Sequence, residues 1–386
     1  MKIQAKLSGS SSVFRMVFLT TDPKGKTMCQ ACSIRVQTPD EFAGKLLGYL
    51  NGGAVALMIS VGHRTGLFDA LAAGGPANST ELAHRAGLQE RYTREWLGAM
   101  VTGEIVDYDP ETQRYILPDS HAALLTQDAE ANLAVPFQFL PVLAQVEDDL
   151  VDCFRNGGGV PYSKYPRFHE VMAEESDQTV VAGLEHAILP LVEGMKERLK
   201  AGASLLDVGC GRGHALMTLA TLFPKSQFAG YDLSEEAIAY ATAQAKARGL
   251  SNIRFLSRDL SSFAEPDTYD FITGFDVIHD QKSPSGLLKG VHASLKPGGV
   301  FLAQDILGSS DVAQNIGGPL APFVYTISCM HCMTVSLAQG GAGLGAAWGR
   351  ELAVSMMNDA GFSSVEVNTL DHDIMNYFYV CRKANA

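Results

Sequence analysis

The stretch "SLLDVGCGRGHA", residues 204–215, places Gly209, Gly211 and Gly213 at alternate positions straight after an apolar run that ends in Asp207. A short apolar run closed by a glycine cluster reads as a buried strand entering a turn. Glycine has no Cβ, so alternate glycines suit a turn whose backbone approaches something closely, not one that fills a core. "HALMTLATLF" follows with a helical pattern, completing strand, glycine turn and helix. Such a turn serves a cofactor at the carboxyl edge of a parallel sheet. The dinucleotide fingerprint GxGxxG is absent here: its last position falls on His214 counted from Gly209, and on Leu216 counted from Gly211. The pattern present is D-x-G-x-G-x-G.

Outward from this turn, strand and helix alternate. "SQFAGYDLS", "NIRFLSRDL", "YDFITGFDVI" and "VFLAQDI" read as strands, with "EEAIAYATAQAKARG" and "SGLLKGVHASLKPGG" as helices between them. The order predicts a doubly wound parallel sheet. "WGRELAVSMMNDAGFSSVEVNTL" and "NYFYVCRK" add one helix and two strands, whereas "GAGLGAAWG", residues 341–349, follows no strand and reads as a flexible loop. Asp232 closes the second strand, where a carboxylate can accept bonds from both hydroxyls of a ribose. Asp259 and Leu260 close the third, suited to an adenine amine and ring. With Asp207, three strand-end acids stand in register with the glycine turn.

Residues 203 to 306 resemble a class I S-adenosylmethionine-dependent methyltransferase, with "DVGCGRG", "YDLS", "SRDL", "YDFITGFDVIHD" and "LKPGG" in the order of its motifs. The resemblance implies a Rossmann-like α/β fold that binds S-adenosyl-L-methionine. Asp207, Gly209, Gly211 and Gly213 would hold the methionine end. Asp232 would hold the ribose with Leu233 beside it, Asp259 and Leu260 would border adenine, and Phe275 would lie near the methionyl chain. No metal is implied.

A methyl transferase must align its acceptor, exclude water and, for a phenol or acid, remove a proton. "DVIHD" puts His279 just past the fourth strand; in the similar O-methyltransferases a His-Asp pair here supplies the base. Gln281 and Lys282 follow it in place of the usual aromatic. His331, in "CMHCM", and Tyr325 lie between the fifth strand and the last helix, in an insertion read as covering the acceptor. The expected reaction is methylation of a small molecule, oxygen favoured, with a small amine as the alternative acceptor.

Residues 39 to 125 read as helices followed by "VDYDPETQRYILPD", a hairpin turning at Asp109 and Pro110. Helix, helix, hairpin is the order of a winged helix, and winged-helix front ends resemble those of small-molecule O-methyltransferases, where they form dimers. A DNA-binding regulator that uses the cofactor only as ligand is the competing reading. These residues carry eleven acidic against six basic side chains, the wrong sign for neutralising phosphates. A homodimer is expected instead, from the apolar run Leu46 to Leu71.

The whole chain of 386 residues has 46% hydrophobic content, enough for two cores, and a net charge of -12 that argues against nucleic-acid or anionic-membrane partners. No apolar run is read as reaching the roughly 18 to 20 residues of a membrane span. Seven scattered cysteines point to a reducing, cytoplasmic compartment. The pairs Cys29/Cys32 and Cys329/Cys332 have zinc-ligand spacing, but nothing brings a tail and an apolar stretch together. Residues 1–38 are basic, with six cationic side chains against Asp22, and read as a disordered extension. The expected divisions are this extension, a winged-helix domain at 39–125, a helical linker at 126–202 and the cofactor-binding domain at 203–386.

Overall fold

The structure, a computed structural model, describes residues 19–21, 27–29 and 38–385. Of the N-terminal extension only two paired strands are described, β1 (Leu19–Thr21) and β2 (Thr27–Cys29), together with Thr38. The disorder expected there, and the side chains of Cys29 and Cys32, lie outside the described residues.

Helix α1 (Pro39–Thr65) starts where "TPDE" demands it. The Thr38 hydroxyl accepts from Glu41 N while the Glu41 carboxylate accepts from Thr38 N, and Pro39 occupies the first turn. Helices α2 (Leu67–Gly74), α3 (Ser79–Ala86, capped by Asn78) and α4 (Glu90–Thr102) precede the hairpin of β3 (Asp107–Asp109) and β4 (Arg114–Ile116). Their shared core gathers Phe68, Leu71, Leu82, Trp96, Leu97 and Met100. This is the winged-helix arrangement, closed by α5 (Asp119–Leu125).

Most of α1 stays outside that core, with Leu47 and Leu50 61% and 68% exposed. It is also long and apolar enough, by length and composition, to cross a membrane, as is the helical stretch Ala321–Ala338. That corrects the reading that no segment reaches this length. Isolated glycines and polar residues hide the continuity, although over 27 residues they dilute the apolar content little.

The bridging segment holds α6 (Phe139–Ala144), α7 (Glu147–Asn156), α8 (Phe168–Ser176) and α9 (Met195–Ala201), with π-helical turns at Asp177–Val181 and Leu184–Ile188. Gly157 and Gly158, both at positive φ, end α7.

The sheet has seven strands in the order β10-β11-β9-β8-β5-β6-β7. Strands β5 (Ser204–Val208), β6 (Gln227–Asp232), β7 (Ile253–Ser257), β8 (Tyr269–Phe275) and β9 (Leu295–Ile306) are parallel, while β10 (Ser364–Leu370) and β11 (Asp373–Arg382) form an antiparallel hairpin that pairs with β9. Helices α10 (His214–Leu222), α11 (Glu235–Ala247) and α12 (Pro284–Ser294) connect the parallel strands. Short helices α13 (Val312–Asn315), α14 (Ala321–Ile327) and α15 (Met333–Ala338) then precede α16 (Arg350–Asp359). Leu205, Phe271 and Leu302 pack on one face of the sheet, Leu206, Ile272 and Phe301 on the other. Burial on both faces explains why these strands read as unbroken apolar runs. Helix α12 stops at Ser294, so "LKPGG" opens β9 where sequence placed it in the helix.

Candidate functional site

The switch in strand order falls between β5 and β8, and there the sheet's carboxyl edge opens into a cavity of about 430 Å³. All three glycines of the opening stretch adopt left-handed φ, 69° at Gly209, 51° at Gly211 and 75° at Gly213. A Cβ on Gly209 would stand 2.2 Å from Val277, and one on Gly213 would stand 2.6 Å from Phe255, whereas one on Gly211 would meet nothing within 4 Å. Packing therefore claims two of the glycines, against the expectation that none is there for packing. Gly211 alone has open space beside it. The turn is fixed by Gly209 N and Cys210 N, which both donate to Tyr231 O, and by Gly211 N, which donates to Asp232 Oδ2 at 2.9 Å. His214, opening α10, bonds Asp177 of the bridging segment at 2.8 Å.

Asp207, Asp232, Leu233, Asp259, Leu260 and Phe275 all line this cavity with the glycine turn. Burial pushes the Asp207 carboxyl up to about 7, although the Thr273 hydroxyl donates to it at 2.7 Å. Asp232 also accepts from Ser234 N at 2.8 Å. Lys282, 2.7 Å from Asp259 Oδ2, and Ser261 hold the Asp259 carboxyl down at about 2. Lys282, conspicuous in sequence for replacing an aromatic, thus ties the turn after β8 to the end of β7.

A second, smaller cavity of about 70 Å³ shares Phe168, Met172, Asp276 and Asp280 with the first. His279 lines this second cavity and is 4% exposed. Its Nδ1 stands 2.7 Å from Asp305 Oδ1, which also accepts from Trp348 Nε1 at 2.9 Å. Burial works against a charge on the imidazole, but Asp305 and Cys332 outweigh it and hold its pKa well above the ordinary value. Its sequence neighbour Asp280 bonds the Tyr162 hydroxyl instead. The pair implied by "HD" is therefore a pair between His279 and the strand β9 carboxylate. Asp305 was missed in sequence, although an acid inside the apolar run "VFLAQDI" is the signal that marks it.

His331 also lines the second cavity, in the π-helical turn Ser328–Cys332, stacked on Phe168 with neither ring nitrogen bonded. Burial lowers its pKa well below the ordinary range, so it is neutral. Tyr325 does not join it. Helix α14 turns Phe323, Val324 and Ile327 toward the cavity, while Tyr325 is 38% exposed and its hydroxyl accepts from Asn315 Nδ2. The loop at 341–349 is likewise not free: Ala342 N donates to Lys282 O and Gly345 N to His279 O, bracing the turn that carries the imidazole.

Residues 53–127 match the Rv2258c-like winged HTH domain, and residues 199–325 match a methyltransferase domain. The chain thus carries a methyltransferase domain behind a winged-helix domain. Over 125 residues it is 29% identical to (S)-coclaurine N-methyltransferase of Papaver somniferum, covering 32% of this chain and 36% of that one. Over 100 residues it is 32% identical to a ubiquinone biosynthesis O-methyltransferase of Burkholderia ambifaria, covering 26% and 42%. The chain spans between about a third and a half of the length of these curated relatives. Human N-acetylserotonin methyltransferase in complex with SAM superimposes with a TM-score of 0.65 at 19% identity, over 91% of this chain and all of that one. An O-methyltransferase family protein from Burkholderia thailandensis gives 0.63 at 15%, over 91% and all. These two likenesses concern the fold.

Proposed function

We propose that the chain transfers the methyl group of S-adenosylmethionine to a small organic acceptor held in the second cavity. The observation that carries this reading is the junction: one cavity lies on the glycine turn, the other is apolar, and Phe168, Met172, Asp276 and Asp280 belong to both. Asp232 holds the ribose hydroxyls beside Leu233, Asp259 and Leu260 border the adenine, and Asp207 with Gly209, Gly211 and Gly213 takes the methionine end near Phe275. The fit rests on the strand-end carboxylates and on Gly211, beside which a Cβ meets nothing.

S-adenosylmethionine supplies a methyl group that is already activated, so the protein's tasks are alignment, exclusion of water and handling of a proton. Phe139, Phe168 and Phe323 hold the acceptor's apolar body, and His331 offers one donor and one acceptor to its polar group. His279, oriented by Asp305, takes the proton of a hydroxyl acceptor when its own imidazole is neutral, a form that becomes populated as pH rises. An oxygen acceptor is the first reading. A small amine is the second, favoured by the carboxyl groups on the cavity wall and by the Papaver N-methyltransferase among the relatives.

The exposed apolar face of α1 supports a homodimer. The scattered cysteines support a cytoplasmic location, and the expected domain divisions follow the change from winged helix to bridge to sheet. Calorimetric titration with S-adenosylmethionine and S-adenosylhomocysteine tests the reading. Saturable binding of both at one site is expected, and binding of neither would end it.

A further inference from the structure

On the reading that the second cavity receives the methyl acceptor, we infer that this acceptor carries a protonated amine, seated against Glu175, Asp276 and Asn376. Four facts lead there. Among the described residues, the charged and titratable groups lining the cavity are three carboxylic acids, Glu175, Asp276 and Asp280, the two imidazoles of His279 and His331 and the thiol of Cys332, with no lysine or arginine. Three of its oxygens, Glu175 Oε2, Asp276 Oδ1 and Asn376 Oδ1, are buried and bond nothing. The amide oxygen can only accept, and the two acid oxygens accept once their carboxyls are ionised.

The orientation of Asn376 is not arbitrary. Its Nδ2 donates to Asp373 Oδ2 at 2.8 Å, which turns its carbonyl the other way, and the residue is 3% exposed. Gln304 donates to the same carboxylate and likewise leaves its own Oε1 unbonded. Asp373 thus consumes the local amide donors and presents oxygens.

Lastly, the acids lack a counter-charge. Burial, then Asp373 and Glu174, push Glu175 up to about 7, while burial and Asp305 hold Asp276 well above the carboxylate range. The one charged cation, the imidazolium of His279, is already committed to Asp305. An ammonium group answers all of these at once, since it brings several donors and one positive charge.

A divalent metal is the other cation to weigh, because donor atoms of Asp276, His279 and Asp305 lie within 4.8 Å of one another. Asp305 Oδ1 already accepts from His279 Nδ1, Trp348 Nε1 and Ile306 N, which occupies that oxygen and one imidazole nitrogen but leaves Asp305 Oδ2 unbonded, so dependence on an added metal is one of the outcomes tested below. The ring of Phe139, Phe168 and Phe323 beside the acids matches an aromatic body behind the amine.

The test uses the full chain saturated with S-adenosylhomocysteine and three probes of one shape: tyramine, 4-ethylphenol and 3-(4-hydroxyphenyl)propionate. Tyramine is expected to bind at least about tenfold more tightly than 4-ethylphenol, with the carboxylate weakest. Glu175→Gln and Asn376→Leu should each shrink the preference for tyramine while S-adenosylhomocysteine binds as in the wild type, since neither residue lines the first cavity. Equal binding of the three, no binding at millimolar concentration, a preference untouched by both variants, or tyramine binding that requires added magnesium or zinc would each overturn the inference. Failure of S-adenosylhomocysteine itself to bind would instead overturn the underlying methyltransferase reading.

Discussion

Replacing Asp232 by alanine tests the cofactor assignment where its geometry is most explicit. The carboxylate ends β6 and bonds Gly211 N and Ser234 N at 2.9 and 2.8 Å, one oxygen to each. Each oxygen keeps a second lone pair for a ribose hydroxyl. Hydrogen bonds to a charged group are worth about 1.5 to 3 kcal/mol each, so losing one ribose bond weakens binding by about tenfold and losing both by a hundredfold or more. The substitution also frees two backbone donors at the turn. Being half exposed to the cavity they recover partners in water, so a thermal shift of only a few degrees is expected. Asp232→Asn keeps one acceptor oxygen and should fall between the two. Calorimetry with S-adenosylhomocysteine on variants that melt cooperatively measures the effect. Wild-type affinity in a folded Asp232→Ala protein would refute the ribose assignment and the placing of β6 with it.

His279→Ala should leave S-adenosylhomocysteine affinity near wild type while turnover of an oxygen acceptor falls by roughly a hundredfold or more. Because Asp305 raises the imidazole pKa, wild-type turnover should climb with pH through a limb above 6.5 that the variant lacks; a flat profile makes His279 structural. Glu175 binds its proton more tightly folded, at about 7, than its ordinary 4.5, so wild-type stability falls as pH rises between these values. Glu175→Gln does not titrate and should exceed the wild type by roughly 3 kcal/mol above pH 7, with no excess below 4.5 in denaturant titrations. Leu47→Glu with Leu50→Glu should turn a dimeric mass into a monomeric one by light scattering. A wild type that is monomeric across micromolar concentrations, or one that partitions onto vesicles, counts against the dimer.

The first cavity was legible because its parts are local. A strand, a glycine turn and an acid at each of two following strand ends are sequence features at fixed offsets, and Asp207, Asp232 and Asp259 meet as the pattern requires. The second cavity was legible only in part, through His279 and His331. Phe139, Glu175, Asp276 and Asn376 are spread over more than two hundred residues and meet only because α8 and β11 close over the end of β8. Local reading also misassigned Tyr325, since a seven-residue helix gives too few turns to decide which side faces inward. His279 was found but its partner was not, because adjacency in "HD" suggested Asp280 while the sheet places Asp305 opposite. Gly209 and Gly213 have a similar lesson: their alternate spacing is visible in sequence, but Val277 and Phe255, which need the missing Cβ, arrive from the turn after β8 and from β7.

The central claim is methyl transfer to a small molecule, and incubation with methyl-labelled S-adenosylmethionine and a panel of phenols, amines and amino-phenols tests it most directly. Mass spectrometry should find the label on a low-molecular-weight product, formed by the wild type and not by Asp232→Ala at limiting cofactor. Binding of the cofactor with no labelled product from any acceptor, or label appearing on nucleic acid or protein instead, would contradict it.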